Sequence, residues 1–172
     1  MYGLNVSEFS NEDFDSIKDE VYSANVYIDS FCIARALDEG AQIVLAGRVS
    51  DPGLALGPAI HEFGWKSNEI DLIAAGTLAG HITECGAQCT GGNYTRWNEV
   101  EDLANIGYPI IEMYENGEFI ITKHDGTGGL VNRQTVSEQI LYEMGDPSHY
   151  ISPDVCVDFT SFDLVDLGEN RV

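Results

Sequence analysis

Gly107-Tyr108-Pro109-Ile110-Ile111-Glu112-Met113-Tyr114-Glu115-Asn116-Gly117-Glu118-Phe119-Ile120-Ile121-Thr122-Lys123 decides the fold class. The run from Tyr108 to Tyr114 is rich in β-formers and meets Asn116-Gly117, a pair that accepts the positive backbone angles of a type I′ turn. Residues 118–123 are therefore predicted to pair back antiparallel. The second strand delivers the chain into His124-Asp125-Gly126-Thr127-Gly128-Gly129, where missing Cβ atoms let backbone approach a ligand or another backbone segment. A helix is predicted over 136–144, with Thr135 as cap, Glu138 reaching back to it, and Gly145 and Pro147 as the stop. Free amides at its start make Gly126, Thr127, Gly128 and Gly129 either an anion site or a tight backbone crossing. No Gly-Lys-Ser/Thr follows, so the loop is not a P-loop.

Working back toward the amino end, Val26 and Ile28 alternate with polar neighbours ahead of an amphipathic run, which predicts a strand at 25–28 and a helix at 30–39. Gln42 to Ala46 reads as a second strand and 53–63 as a second helix, broken at Gly57-Pro58. Two such units imply a parallel sheet, whose ligands lie beyond the carboxyl ends of the strands. The fold class is thus α/β: a mixed sheet with β-α units in the first half and an antiparallel hairpin plus helix in the second. Arg48 and Asp51 occupy the ligand-bearing position. The Arg48 fork suits a carboxylate or phosphate, or an internal salt bridge, and Asp51 suits a helix cap or the same ligand. His61-Glu62 alone reads as a hydrogen-bonded structural histidine in preference to a metal ligand or an acid–base couple.

The next helix is predicted over 69–85, capped by Asn68, with Ile70, Ile73, Leu78 and Ile82 at helical intervals. Ala74, Ala75, Gly76, Ala79 and Gly80 make one side small, favouring close packing. Thr77, His81, Glu84 and Gln88 form a polar stripe. His81 titrates near neutrality with Glu84 one turn on, the spacing of an oriented general base or of ordinary bonding at a helix end. Cys85 and Cys89 lack any neighbour that would lower a thiol pKa. A second glycine loop, Gly91-Gly92-Asn93, follows. Residues 155–165 alternate as a strand, and the chain reaches Val172 where a returning strand is expected, so an exposed sheet edge and a shortened or partial unit are anticipated.

Composition sets bounds on all of this. The 172 residues, 44% hydrophobic, suffice for a single domain over 21–172 behind a loosely ordered acidic lead-in at 1–20. A net charge of −21, from 29 acids against 8 bases, argues against nucleic acid and anionic membrane as partners and is compatible with a high-salt cytoplasm. No apolar run approaches the roughly 18 residues of a membrane span, and the amino end lacks the basic start of a signal peptide. The four cysteines, Cys32, Cys85, Cys89 and Cys156, form no Cys-x-x-Cys pair and read as reduced thiols. A cytoplasmic location is expected, with no metal site and no cofactor specified by the residues.

Several longer motifs carry a resemblance. These are Gly47-Arg48-Val49-Ser50-Asp51, His61-Glu62-Phe63-Gly64-Trp65, Ala74-Ala75-Gly76-Thr77-Leu78-Ala79-Gly80-His81 and Glu84-Cys85-Gly86-Ala87-Gln88-Cys89-Thr90-Gly91-Gly92-Asn93. Leu103 to Pro109, Gly126 to Val131, Glu138 to Glu143 and Ser152 to Val155 continue them. Over about residues 22–172 the chain resembles the acyclic terpene utilisation family AtuA. The resemblance implies a role in breaking down citronellol- and geraniol-type compounds beside acyl-CoA carboxylases and hydratases, and a family chain longer than this one. From the residue pattern itself, the helix stripe and the two glycine loops, His81 and Glu84 are the expected catalytic residues. Arg48, Asp51, Gly91, Gly92, Asn93 and Gly126 to Gly129 are the expected ligand-binding residues, converging on one cleft for a small, acyl-CoA-like anion. The alternative is a non-catalytic acyl-CoA or nucleotide binding module, or an assembly subunit in a homo-oligomer or with companion catabolic chains.

Overall fold

Residues 11–172 are described in the computed structural model, and the α/β class is borne out: helices and two small antiparallel sheets. In chain order the helices are α1 (Asn11–Ile17), α2 (Phe31–Asp38), α3 (Gly53–Phe63), α4 (Ile70–Thr83) and α5 (Arg133–Leu141). The strands are β1 (Pro109–Met113), β2 (Phe119–Lys123), β3 (Tyr150–Ile151) and β4 (Cys156–Val157). Of the acidic lead-in, residues 1–10 lie outside the described residues. Its remainder forms α1 and a 3-10 turn at Lys18–Glu20.

The deciding hairpin forms, with Pro109 opposite Lys123 and Met113 opposite Phe119. Its turn differs from the expected type I′. The Gly117 amide donates to the Tyr114 carbonyl at 3.0 Å and the Tyr114 amide to Glu118 at 2.9 Å. Gly117 takes a positive φ of 86° and Asn116 does not. This is a three-residue loop, a type I turn closed by a glycine bulge, which reaches the strand twist without forcing asparagine into left-handed space. The Asn116 side chain is left free to accept from the Glu118 amide at 3.1 Å. On the far side of β2, Val172 and Ile121 exchange amide-to-carbonyl bonds at 2.8 and 3.1 Å, so that flank is occupied at Ile121.

The two β-α units of the first half are reduced to one parallel bridge, Ile28 with Val49, each residue leading shortly into α2 or α3. Regular strands at 25–28 and 42–46 do not form. Isolated parallel pairs are not self-supporting, and no further strand among the described residues lies beside these segments. Val26, Ile43 and Leu45 stand 86%, 88% and 98% exposed in consequence.

Helix α3 runs unbroken through Pro58. Pro58 and Leu54 both lie on the exposed side, so the carbonyl that loses its partner faces water. Gly64 then closes the helix at φ 67°. Helix α4 starts after Glu69, whose carboxylate accepts from the Lys66 amide, and Asn68 does not cap it. Its small side is used for close packing, as expected. A Cβ on Gly80 would overlap the Pro52 carbonyl, and one on Gly76 the Leu56 side chain. With Ile73, Leu78 and Ile82 buried as well, α4 is the central helix, touching α3, α5 and β1.

Helix α5 begins earlier than expected because Asn132, not Thr135, is its cap. The Asn132 side chain accepts from the Gln134 and Thr135 amides at 2.9 Å, and Thr135 bonds back to complete the box. Glu138, released from that duty, accepts from the Thr95 amide at 2.9 Å. Beyond it, only Cys156–Val157 of the expected strand at 155–165 is paired. Asp158 stops the ladder by accepting from the amide and hydroxyl of Thr160 at 2.8 and 2.6 Å, a local turn that competes with extension.

Candidate active site

Because α4 is buried, His81 lands inside the protein at 2% exposure. Its Nε2 lies 3.1 Å from the Ile140 carbonyl at the end of α5, and Gln139 Nε2 donates to the His81 carbonyl at 2.9 Å. Tyr150 and Phe159 stack on each other at 4.9 Å and lean on the imidazole at 5.5 and 5.6 Å. Glu84, one turn on, places Oε1 3.0 Å from His81 Nδ1, and its side chain is 11% exposed. The approach lies off a hydrogen bond's preferred line, and neither Nδ1 nor Glu84 Oε2 has a hydrogen-bonding partner.

The Ile140 carbonyl fixes one proton. A carbonyl only accepts, so Nε2 carries hydrogen. His81 Nδ1 and the Glu84 carboxylate thus face each other at 3.0 Å in a buried setting. That separation is within the contact range of an acid–base couple.

Arg48, paired with Asp51, lies within electrostatic reach of Glu84. Pro52, directly after Asp51, is the backbone that Gly80 admits, so the start of α3 crosses α4 next to His81. Arg48 Nη2 donates to the Tyr27 hydroxyl at 3.0 Å, its guanidinium lies 4.8 Å over that ring, and Nη1 is 3.6 Å from Asp51 Oδ1. The Tyr27 hydroxyl, then Asp51, and more distantly Glu84 strengthen its hold on the proton. Asp51 makes no cap on α3. It is the partner of Arg48. Burial, followed by the charges of Glu84, Asp51 and Glu143, raises the Tyr150 phenol well above its ordinary value and keeps it neutral.

The two glycine loops meet, but each on the other's backbone. Leu130 donates to the Thr90 carbonyl at 2.8 Å, and a Cβ on Gly129 would press on that same oxygen. Thr90 Oγ1 donates to the Gly107 carbonyl. The amides of Gly91, Gly92, Gly128 and Gly129 donate to Gln88, Ala87, Asn105 and Glu101, and Thr127 to His124. Gly128 lies against the Asp102 carbonyl, where no Cβ fits, and Gly126 faces open space. At Gly91, Gly92, Thr127, Gly128 and Gly129 these loops are crossings of backbone with their amides committed. Arg48 takes Tyr27 and Asp51 as polar partners rather than either loop.

Sequence reasoning did not find Tyr27, Gln139, Tyr150 or Phe159, which meet the α4 stripe only through the tertiary fold. Elsewhere, His61 Nδ1 lies 2.6 Å from Asp38 on the surface. Burial pushes the Cys89 thiol up to about 12 and raises that of Cys85, so neither has nucleophilic character.

With that geometry described, a family model for Acyclic terpene utilisation family protein AtuA matches residues 4–172. The chain belongs to the AtuA family. Membership gives it a role in acyclic terpene utilisation, and the match extends further toward the amino end than the motifs at 22–172. No curated protein and no solved structure matches the chain. In this AtuA-family chain the β3–β4 hairpin that covers His81 is fastened by Asp154, whose two oxygens accept from the Ser30 amide and hydroxyl at 2.8 Å each. Ser30 is fully buried. Asp154→Ala is expected to lower stability by about 1–3 kcal/mol, since two buried donors lose their acceptor. Urea unfolding beside Asp158→Ala, which cuts only a local turn, checks this.

Proposed function

We propose that this AtuA-family chain is an enzyme, or the catalytic part of one, acting on a branched acyl-CoA or related carboxylic acid in terpene catabolism. The observation that supports the reading is the 3.0 Å contact of His81 and Glu84 in a buried setting, with the half-exposed guanidinium of Arg48 within electrostatic reach of Glu84. In this reading His81 and Glu84 exchange a proton with the substrate. Arg48 holds its carboxylate, thioester or phosphate oxygens, and Asp51 and Tyr27 position Arg48. Tyr150 and Phe159 cover the imidazole and keep water from the reacting atoms. The glycine loops act as rigid framing, since committed backbone amides cannot also hold an anion, and Asn93 belongs to that frame. The acidic surface suits this division, because a chain of net charge −21 attracts an anion only where a cation is placed for it.

Arg48→Ala is expected to weaken binding of a branched acyl-CoA by about 1–3 kcal/mol, the range for a charge-assisted hydrogen bond. Titration calorimetry reads it directly. Unchanged affinity, with the fold intact, removes Arg48 from the site.

The exposure of Val26, Ile43 and Leu45 favours a second reading of how the chain works. Residues 21–172 then serve as one domain against further chain, a second copy or companion catabolic subunits, and contribute binding rather than chemistry. No helix among the described residues is long and apolar enough to cross a membrane. A cytoplasmic setting, where acyl-CoA is available, fits either reading.

A further inference from the structure

Residues 21–29 are exposed without a break, and Tyr22, Val26, Ile43 and Leu45 are almost entirely open to solvent. Their two segments run parallel where Ile28 bridges Val49, the Ile28 amide donating to the Arg48 carbonyl at 2.8 Å and the Ser50 amide to the Ile28 carbonyl at 3.1 Å. Backbone groups alternate sides along an extended segment, so those of Asn25 and Tyr27 face away from Val49. Among the described residues the amides of 22–27 and 42–48 make no hydrogen bond. A parallel pair is ordinarily buried on both faces, and an open edge is a template for a further strand.

The rim selects the kind of strand. Lys18, Arg35 and Arg48, the cations of this stretch, are each taken by a nearby carboxylate, Asp15 at 3.2 Å, Glu39 at 3.0 Å and Asp51 at 3.6 Å. Asp19 and Glu20 make no ion pair among the described residues, and the Asp29 carboxylate accepts from the Cys32 amide at 3.1 Å without a cation beside it. Unmatched negative charge therefore stands at both ends of the 21–28 segment. A second copy would bring the same rim, and its own net charge of −21, against it. We propose that residues 21–28, beside 42–49, form a docking edge for a strand of another protein, extended, apolar in its centre and carrying lysine or arginine at its ends. Main-chain bonds to Asn25 and Tyr27 supply the pairing, Val26, Ile43 and Leu45 the apolar contact, and the carboxylates of Asp19, Glu20 and Asp29 the choice of partner. Because Tyr27 and Arg48 belong to these segments, the docked strand borders the candidate active site. The proposal rests on the reading in which residues 21–172 work as one domain against other polypeptide.

The test uses the whole chain and three synthetic peptides at one ionic strength: Lys-Lys-Val-Thr-Val-Thr-Val-Lys-Lys, the same core between glutamates, and the lysine peptide with proline at its central valine. Hydrogen exchange read by mass spectrometry is expected to be fast at 22–27 in the free chain and to slow there when the lysine peptide binds. Calorimetry is expected to show binding weaker by about tenfold or more for the glutamate peptide, for the proline peptide, and for Asn25→Pro, which deletes an outward amide that has no partner to lose. Fast exchange in the free chain with no slowing by the lysine peptide, or equal affinity for the lysine and glutamate peptides, would overturn the proposal and leave the domain reading standing. Slow exchange at 22–27 in a free monomer would mean that the edge is already covered within the chain, and would remove both. Slow exchange in a dimer would make the occupant a second copy and overturn the proposal alone.

Discussion

Gly80→Ala is expected to destabilise the protein by about 3 kcal/mol, the upper part of the usual range for overpacking a tight contact. The added methyl would meet the carbonyl, Cα and carbonyl carbon of Pro52, none of which can rotate away as a side chain would. Relief requires α3 and α4 to separate, and that crossing also sets Arg48 within electrostatic reach of Glu84. Gly145→Ala is the control, since nothing lies within 4 Å of its missing Cβ and its φ is not positive. Its stability should change by no more than about 0.5 kcal/mol. At roughly 2–4 °C per kcal/mol for a chain of this size, the two melting curves should be clearly apart. Coincident curves would mean that the helix crossing is looser than described.

His81→Leu is expected to cost about 3–5 kcal/mol, because it leaves the mostly buried Glu84 carboxyl without the imidazole that faces it at 3.0 Å. It also removes the bond to the Ile140 carbonyl and the ring seated against Tyr150 and Phe159. The double change His81→Leu with Glu84→Leu separates these effects. Replacing both partners by apolar groups is far less damaging than orphaning one, so the double variant should be more stable than His81→Leu alone. If the two losses simply add, His81 and Glu84 are not an interacting pair.

The sequence made the local features legible and left the long-range ones hidden. Asn116-Gly117 marked a hairpin because turn chemistry is written within a few residues, though the loop took one residue more than expected. Helix α4 was visible from Ile70, Ile73, Leu78 and Ile82, and its close packing from Gly76 and Gly80. The first-half strands failed because strand formation depends on neighbours, and Gln42 to Ala46 has β-formers without a sheet to join. Thr135 was expected as the cap of α5 because it carries the right pattern with Glu138. Asn132 takes the position because its extended backbone and short side chain reach two amides at once.

The same division applies to the site. His81 and Glu84 share a helix face, so their meeting follows from spacing, and Arg48 with Asp51 are three residues apart on the connection into α3. Gln139, Tyr150 and Phe159 lie 58 or more residues from His81, and no local pattern places them there. The glycine loops show the limit from the other side. Glycine signals close approach without saying whether the visitor is a ligand or another stretch of chain, and here the Thr90 and Asp102 carbonyls fill the space.

The central claim is that the His81–Glu84 pair moves a proton on a branched acyl substrate. Incorporation of solvent deuterium into a branched acyl-CoA, followed by mass spectrometry for the unmodified protein and for Glu84→Gln, tests it most directly. Glu84→Gln preserves shape while removing the carboxylate. The expected result is measurable incorporation by the unmodified protein and a rate lower by about 10²–10⁴ in the folded variant, the usual contribution of a positioned acid–base group. No incorporation by the unmodified protein, or an equal rate in Glu84→Gln, would contradict the account.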